Sequence, residues 1–125
     1  MARHVLVVDD DDDVRNVILA MLVASGFEAT AATGGVAMRD ILATHGAPID
    51  VIVLDSAMPG EQGESLALYA KALRIPVIMI SGSPDCVKFA EEQGLQLLRK
   101  PFRMAQLRRA IEDALGSGQF GQRDA

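Results

Sequence analysis

Cysteine occurs once in this chain, at Cys86, so no internal disulfide can form and a reducing compartment suits the sequence. No apolar run approaches the roughly 18 residues that a membrane-spanning helix needs. The opening residues, Met1-Ala2-Arg3-His4, hold no signal-peptide hydrophobic segment and lead straight into an apolar stretch. A cytoplasmic protein with no membrane association is therefore the expectation. Basic residues are not in excess: 12 Lys and Arg face 17 Asp and Glu, a net charge of −5 that one run of five aspartates accounts for. A basic patch for nucleic acid is not indicated. Internal repeats are also missing. What remains is a chain of 125 residues, half of them apolar, which fits one domain with a core of its own.

The pattern within it is an alternation. Val5 to Val8 is a continuous apolar run rich in β-branched residues, as in a strand covered on both faces. Val14, Val17, Ile18, Met21 and Leu22 then form one stripe of a helix that Asp11 or Asp12 can cap and Ser25-Gly26 ends. A weaker, edge-like strand covers 27–32, and a second helix 36–44 ends at Gly46-Ala47-Pro48. The strongest strand, 49–54, leads through a Met58-Pro59-Gly60 loop to a third helix over 63–73. A strand over 77–80 precedes a fourth helix, with Ser83 as N-cap and Pro84 as first helical residue, which stops near Gly94. A last strand over 95–99 and a fifth helix over 103–115 follow, with Leu107, Ala110, Ile111, Ala114 and Leu115 facing inward. Residues 116–125 read as a loose polar tail.

Strands that alternate with helices predict an α/β fold, a parallel sheet with helices on both faces and right-handed crossovers. Ligands of such sheets sit at the carboxyl ends of strands, at the switch point. Asp9, Asp55, Ser81 and Lys100 all fall at such ends, with Asp10 beside the first. Carboxylates about 5 Å apart repel by roughly 3 kcal/mol per pair at an effective dielectric near 20. A hard divalent cation such as Mg2+ relieves this, since it takes oxygen ligands and prefers to share them with a phosphate. Lys100 is a point charge suited to a phosphoryl oxygen, Ser81 a hydroxyl donor, and Gly82 leaves space. A carboxylate in that company can act as a nucleophile toward phosphorus.

These residues sit in four pieces: Val-Val-Asp-Asp at 7–10, Leu-Asp-Ser-Ala-Met-Pro-Gly at 54–60, Ile-Ser-Gly at 80–82 and Lys-Pro-Phe at 100–102. In this order and spacing the chain resembles bacterial response-regulator receiver domains, over roughly Arg3 to Leu115. The resemblance implies a flavodoxin-like (βα)5 three-layer sandwich with strand order 2-1-3-4-5. It implies a receiver domain at 1–115 and a flexible tail at 116–125. Asp55 becomes the phosphoacceptor, with Ser81 as switch hydroxyl and Lys100 as partner of the phosphate. Asp9, Asp10, Asp55 and the backbone carbonyl of Ala57 become the Mg2+ site, with Asp10 rather than Asp9 expected as the direct ligand of the acidic pair, and the Lys100–Pro101 bond is expected cis. The phosphodonor is then a phosphohistidine on a histidine kinase or phosphotransfer protein. Output is expected through the fourth helix, last strand and fifth helix, near Val87, Phe89, Leu95 and Arg109, to a target protein or a second copy of the chain. A single-domain regulator is the expectation.

Two positions depart from the family pattern. Leu97 stands where an aromatic residue usually precedes the lysine, in a segment one residue shorter than usual, so switching is expected to rely on Ser81 and the fourth helix. Ala57 and Ser83 occupy positions that influence water attack on the phosphoaspartate, and fast self-dephosphorylation is not expected. A haloacid-dehalogenase-like phosphatase is an alternative, with Asp9-Asp10-Asp11 as its acidic motif, but it leaves Asp55 unexplained and lacks room for a cap domain. A non-phosphorylated interaction module is another. Elsewhere His4 reads as structural, His45 as a solvated helix end, Asp11 to Asp13 as a solvated helix start, Cys86 as inert, Tyr69 as packed on the third helix, and the methionines as dispersed.

Overall fold

The computed structural model describes residues 3–44, 48–57, 63–82 and 84–117. The expectations for His45, Gly46-Ala47, Met58-Pro59-Gly60, Ser83 and residues 118–125 lie outside the described residues. In chain order the elements are β1 (His4–Val8), α1 (Asp12–Ala24), β2 (Glu28–Ala32), α2 (Gly35–Thr44), β3 (Val51–Asp55), α3 (Gly63–Ala72), β4 (Val77–Ser81), α4 (Asp85–Gln93), β5 (Gln96–Arg99) and α5 (Met104–Ser117). The strands form one parallel sheet in the order β2-β1-β3-β4-β5.

Alternation along the strands feeds two cores. Leu6, Val8, Ile52, Leu54, Val77 and Met79 pack against Met38 of α2, Leu66 and Ala70 of α3, and Ala90 of α4. Val5, Val7, Val51, Val53, Ile78 and Ile80 pack on the other face against Ile18 and Leu22 of α1 and Leu107, Ile111 and Ala114 of α5. The result is a three-layer flavodoxin-like sandwich. β1, β3 and β4 read as unbroken apolar runs because both of their faces are covered. β2, at the sheet edge, buries only Ala32 fully, which explains its weak signal in the sequence.

Helix ends follow local chemistry. Asp11 caps α1 by accepting the N–H groups of Asp13 (2.9 Å) and Val14 (3.1 Å). Such a cap is worth about 1 kcal/mol. The expected start of α4 needs correction: Pro84 is the N-cap, not the first helical residue, and the helix begins at Asp85. The Pro84 carbonyl accepts the N–H of Val87 at 3.1 Å. At its other end Gly94 takes the left-handed conformation (φ 69°), and the Leu95 N–H closes on Ala90 O. That bond uses up Leu95, so β5 starts one residue later than the apolar pattern implies. α5 starts one residue late as well, because Arg103 donates its N–H to Gln106 Oε1 (2.7 Å) as a cap. It also runs to Ser117, two residues past the expected end at Leu115. A glycine such as Gly116 costs a helix only about 1 kcal/mol, too little to stop one.

Gly63 sets the distance between α3 and the end of β3. A Cβ built there lies 2.6 Å from Ser56 Cα and 2.9 Å from Ser56 O. Both are backbone atoms directly after Asp55, and neither can swing aside. Gly63→Ala is expected to lower stability by about 1–3 kcal/mol, the usual cost of overpacking. Chemical denaturation read by circular dichroism checks this, and an unchanged midpoint rules out the close approach.

Candidate functional site

The chain leaves β1 toward one face of the sheet, into α1, and leaves β3 toward the other, into α3. The crevice between two strands that part in this way is where open α/β sheets bind ligands, receiver folds being a standing example of the rule. Register aligns the polar residues there. Val8 pairs with Leu54, so Asp9 and Asp55 come next on neighbouring strands. Asp55 pairs with Ile80, so Ser81 lies one step further, and Ser81 pairs with Arg99, which Lys100 follows.

Asp9, Asp10 and Asp55 each offer a carboxylate oxygen, and all of these lie within 4.8 Å of one another. Asp9 is 2% and Asp55 5% exposed, whereas Asp10 is open to solvent. Lys100 Nζ approaches Asp55 Oδ1 at 3.5 Å, and the Ala57 N–H donates to the same oxygen at 3.1 Å. Ser81 is buried at the end of β4, and its carbonyl accepts the Lys100 N–H at 2.9 Å, which ties the two strand ends together. The Lys100–Pro101 peptide is cis, as the resemblance implies. Space over Gly82 is open.

Burial pushes the Asp9 carboxyl above its usual range. The Asp11 N–H on Asp9 Oδ1 (2.9 Å) opposes this, the Asp55 charge adds to it, and Lys100 opposes it. Three carboxylates against one lysine leave a negative excess in a partly desolvated crevice. The donor set is all oxygen, compact and open on the Asp10 side. It fits a hard divalent cation such as Mg2+, which binds through a few carboxylates and keeps room for waters and a phosphate.

His4 is at the opposite end of β1, where its N–H donates to Asp50 Oδ2 (2.7 Å) and its Nε2 meets Thr30 Oγ1 (2.6 Å). Cys86 is a free, buried thiol of α4. Tyr69 is half-buried under the Arg39 guanidinium, 4.4 Å from the ring centroid. Of the anticipated docking residues, Arg109 is exposed and Val87 half-buried, but Leu95 is buried and Phe89 packs on the same core. Leu97 is half-buried against that core too. Arg15 went unnoticed in the sequence. It is the only Lys or Arg between His4 and Met38, and it sits in the first turn after an acidic run, a spacing that could have marked it.

Comparison with known proteins agrees with this geometry. The family model described as response regulator receiver domain matches residues 5–112. The transcriptional regulatory protein GltR of Pseudomonas aeruginosa is 30% identical over 129 residues, covering 96% of this chain and 52% of GltR. The transcriptional regulatory protein FixJ of Azorhizobium caulinodans is 35% identical over 117 residues, covering 88% of this chain and 54% of FixJ. The chain thus spans about half the length of these curated relatives. The crystal structure of a response regulator receiver domain protein from Clostridium thermocellum matches with a TM-score of 0.84 and 27% identity, over 92% of this chain and 95% of that one. Among the described residues, no helix is long and apolar enough to cross a membrane.

Proposed function

The chain belongs to the response regulator receiver domain family, and on that premise we propose that it accepts a phosphoryl group on Asp55 from a phosphohistidine of a histidine kinase or phosphotransfer protein. The observation that carries this reading is the Asp55 carboxylate itself, nearly buried, held by the Ala57 N–H and Lys100, and faced by two more carboxylates. An oxygen of Asp55 attacks phosphorus in line. The phosphorus–nitrogen bond of the donor breaks, the imidazole leaves with its electron pair, and a mixed anhydride remains on Asp55. Bound Mg2+ supplies neutralisation of the gathered negative charge. Asp9, Asp10, Asp55 and the Ala57 carbonyl would hold it.

Lys100 balances charge on the phosphoryl oxygens, and the Ser81 hydroxyl donates to one of them. Ser81 and Lys100 are joined through their backbones, so movement at either is passed to β4 and β5. The switched face is α4, β5 and α5, which docks a downstream target protein or a second copy of the chain. The phosphoryl group turns over slowly, since the Ala57 side chain cannot orient a water. Self-phosphorylation and self-dephosphorylation are the only reactions proposed for the chain, which is not an enzyme in the ordinary sense and is placed in the cytoplasm.

Incubation with Mg2+ and acetyl phosphate tests this. The expected product carries one hydroxylamine-labile phosphoryl group at Asp55 by mass spectrometry. Continuous release of phosphate points to the phosphatase alternative instead, and no reaction at all points to an interaction module that does not take phosphate.

A further inference from the structure

Arg15 projects from the first turn of α1 toward the acidic crevice and is nearly buried, with its side chain 11% exposed. One arm of its guanidinium donates to the backbone carbonyl of Asp9 at 2.9 Å, and the other pairs with Asp12. The Asp9 carbonyl belongs to the peptide that joins Asp9 to Asp10. Holding it sets the plane of that peptide, and therefore the direction in which the Asp10 side chain leaves the backbone. The rest of Asp9 is fixed as well: its N–H donates to Ala32 O at 3.2 Å, and its Oδ1 takes the Asp11 N–H at 2.9 Å. Asp10 is the exposed member of the carboxylate trio, so neighbouring packing does not orient it.

We infer that Arg15 is a positioning residue for the cation site, fixing the Asp9–Asp10 peptide so that the Asp10 carboxylate meets those of Asp9 and Asp55. This deepens the proposed function and rests on the reading of the trio as a Mg2+ site. Charge alone argues the other way. A guanidinium near a cation site repels the cation, so if Arg15 acted only through its charge, its removal would tighten binding. Its planar fork meets two acceptors at once, which a lysine ammonium cannot reproduce. The charge-keeping and charge-removing variants therefore separate geometry from electrostatics.

The test is Mg2+ titration by calorimetry of the wild-type chain, Arg15→Lys, Arg15→Gln and Asp10→Asn, with circular dichroism melts of each. Partners one step removed from a metal typically tune affinity by about 10–100-fold, so Arg15→Gln is expected to raise the Kd about tenfold or more. Arg15→Lys is expected to raise it by a smaller factor in the same direction. In metal-free protein, amide exchange at Asp11, whose N–H rests on Asp9, is expected to quicken in both variants, while Leu22 in the body of α1 keeps its protection. This exchange readout stands whether or not Arg15→Gln melts early. Tighter binding in Arg15→Gln, or an unchanged Kd and Asp11 exchange in Arg15→Lys, overturns the role of Arg15 while leaving the cation site intact. A wild-type chain that binds no Mg2+, or an Asp10→Asn variant that binds as well as wild type, overturns the reading of the trio and this inference with it.

Discussion

Asp55→Asn is expected to abolish phosphoryl uptake from acetyl phosphate and, in the same protein, to raise the melting temperature measured in chelator. An amide oxygen carries no negative charge and cannot form the anhydride, so the loss should be complete rather than graded. The gain in stability follows from the same crevice. Each carboxylate pair at about 5 Å costs roughly 3 kcal/mol at an effective dielectric near 20, and Asp55 takes part in two such pairs. Its attraction to Lys100 at 3.5 Å is lost in the variant, but that lysine is 36% exposed and its pairing is weakened by solvent. Asp10 is exposed, so its pair with Asp55 is screened as well, but the balance still favours asparagine, which also keeps an acceptor for the Ala57 N–H. A protein of this size should then melt a few degrees higher. Mass spectrometry after acetyl phosphate treatment and a calorimetric scan read the two effects separately. Phosphorylation that persists in Asp55→Asn moves the acceptor to another residue. A lower melting temperature shows that the trio is not repulsive in the empty crevice.

A second large effect is expected at Asp9. Asp9→Asn removes one of the carboxylates proposed to hold Mg2+, so its Mg2+ affinity is expected to fall by about 10–100-fold or more. Its pH signature is equally specific. Burial raises the Asp9 carboxyl in the folded chain, which therefore holds a proton that the unfolded chain has already released. Stability from this group is fully present below the unfolded value and is lost as pH rises through the raised folded value. Most surface carboxylates slope the other way or not at all, so the useful quantity is the difference between wild type and Asp9→Asn. In chelator, asparagine should gain on the wild type as pH climbs through the weakly acidic range. Urea melts across that range give the difference directly. A constant offset, with no dependence on pH, means that Asp9 does not titrate above its ordinary range.

The architecture was legible because one signal repeated. Val5 to Val8 and Val51 to Leu54 are apolar on both faces and end in carboxylates, which points to buried parallel strands with acids at their carboxyl ends. Helical stripes such as Ile18 with Leu22, and Leu107 with Ile111, assigned the covering layers with no knowledge of distance. Errors gathered where backbone hydrogen bonds decide an ending. Leu95 looked like strand and became part of the α4 cap. Pro84 looked helical and became the cap residue, and Gly116 looked like a stop and was carried through.

Residue order alone carries the alternation of elements, the two-sided burial of the central strands, and the presence of acids, a hydroxyl and an amine at four strand ends. These follow from side-chain chemistry read at a period of two or of three to four, and need no coordinates. Folding in three dimensions decided the reach of Arg15 to the Asp9 carbonyl and the 2.6 Å approach of a Cβ at Gly63 to Ser56. It also decided the bond from Lys71 on α3 to the Gln93 carbonyl at the end of α4, at 2.9 Å. Each depends on how far one layer stands from the next and on which rotamer a long side chain takes. Those quantities are set by the packing of the whole core, and no local pattern encodes them.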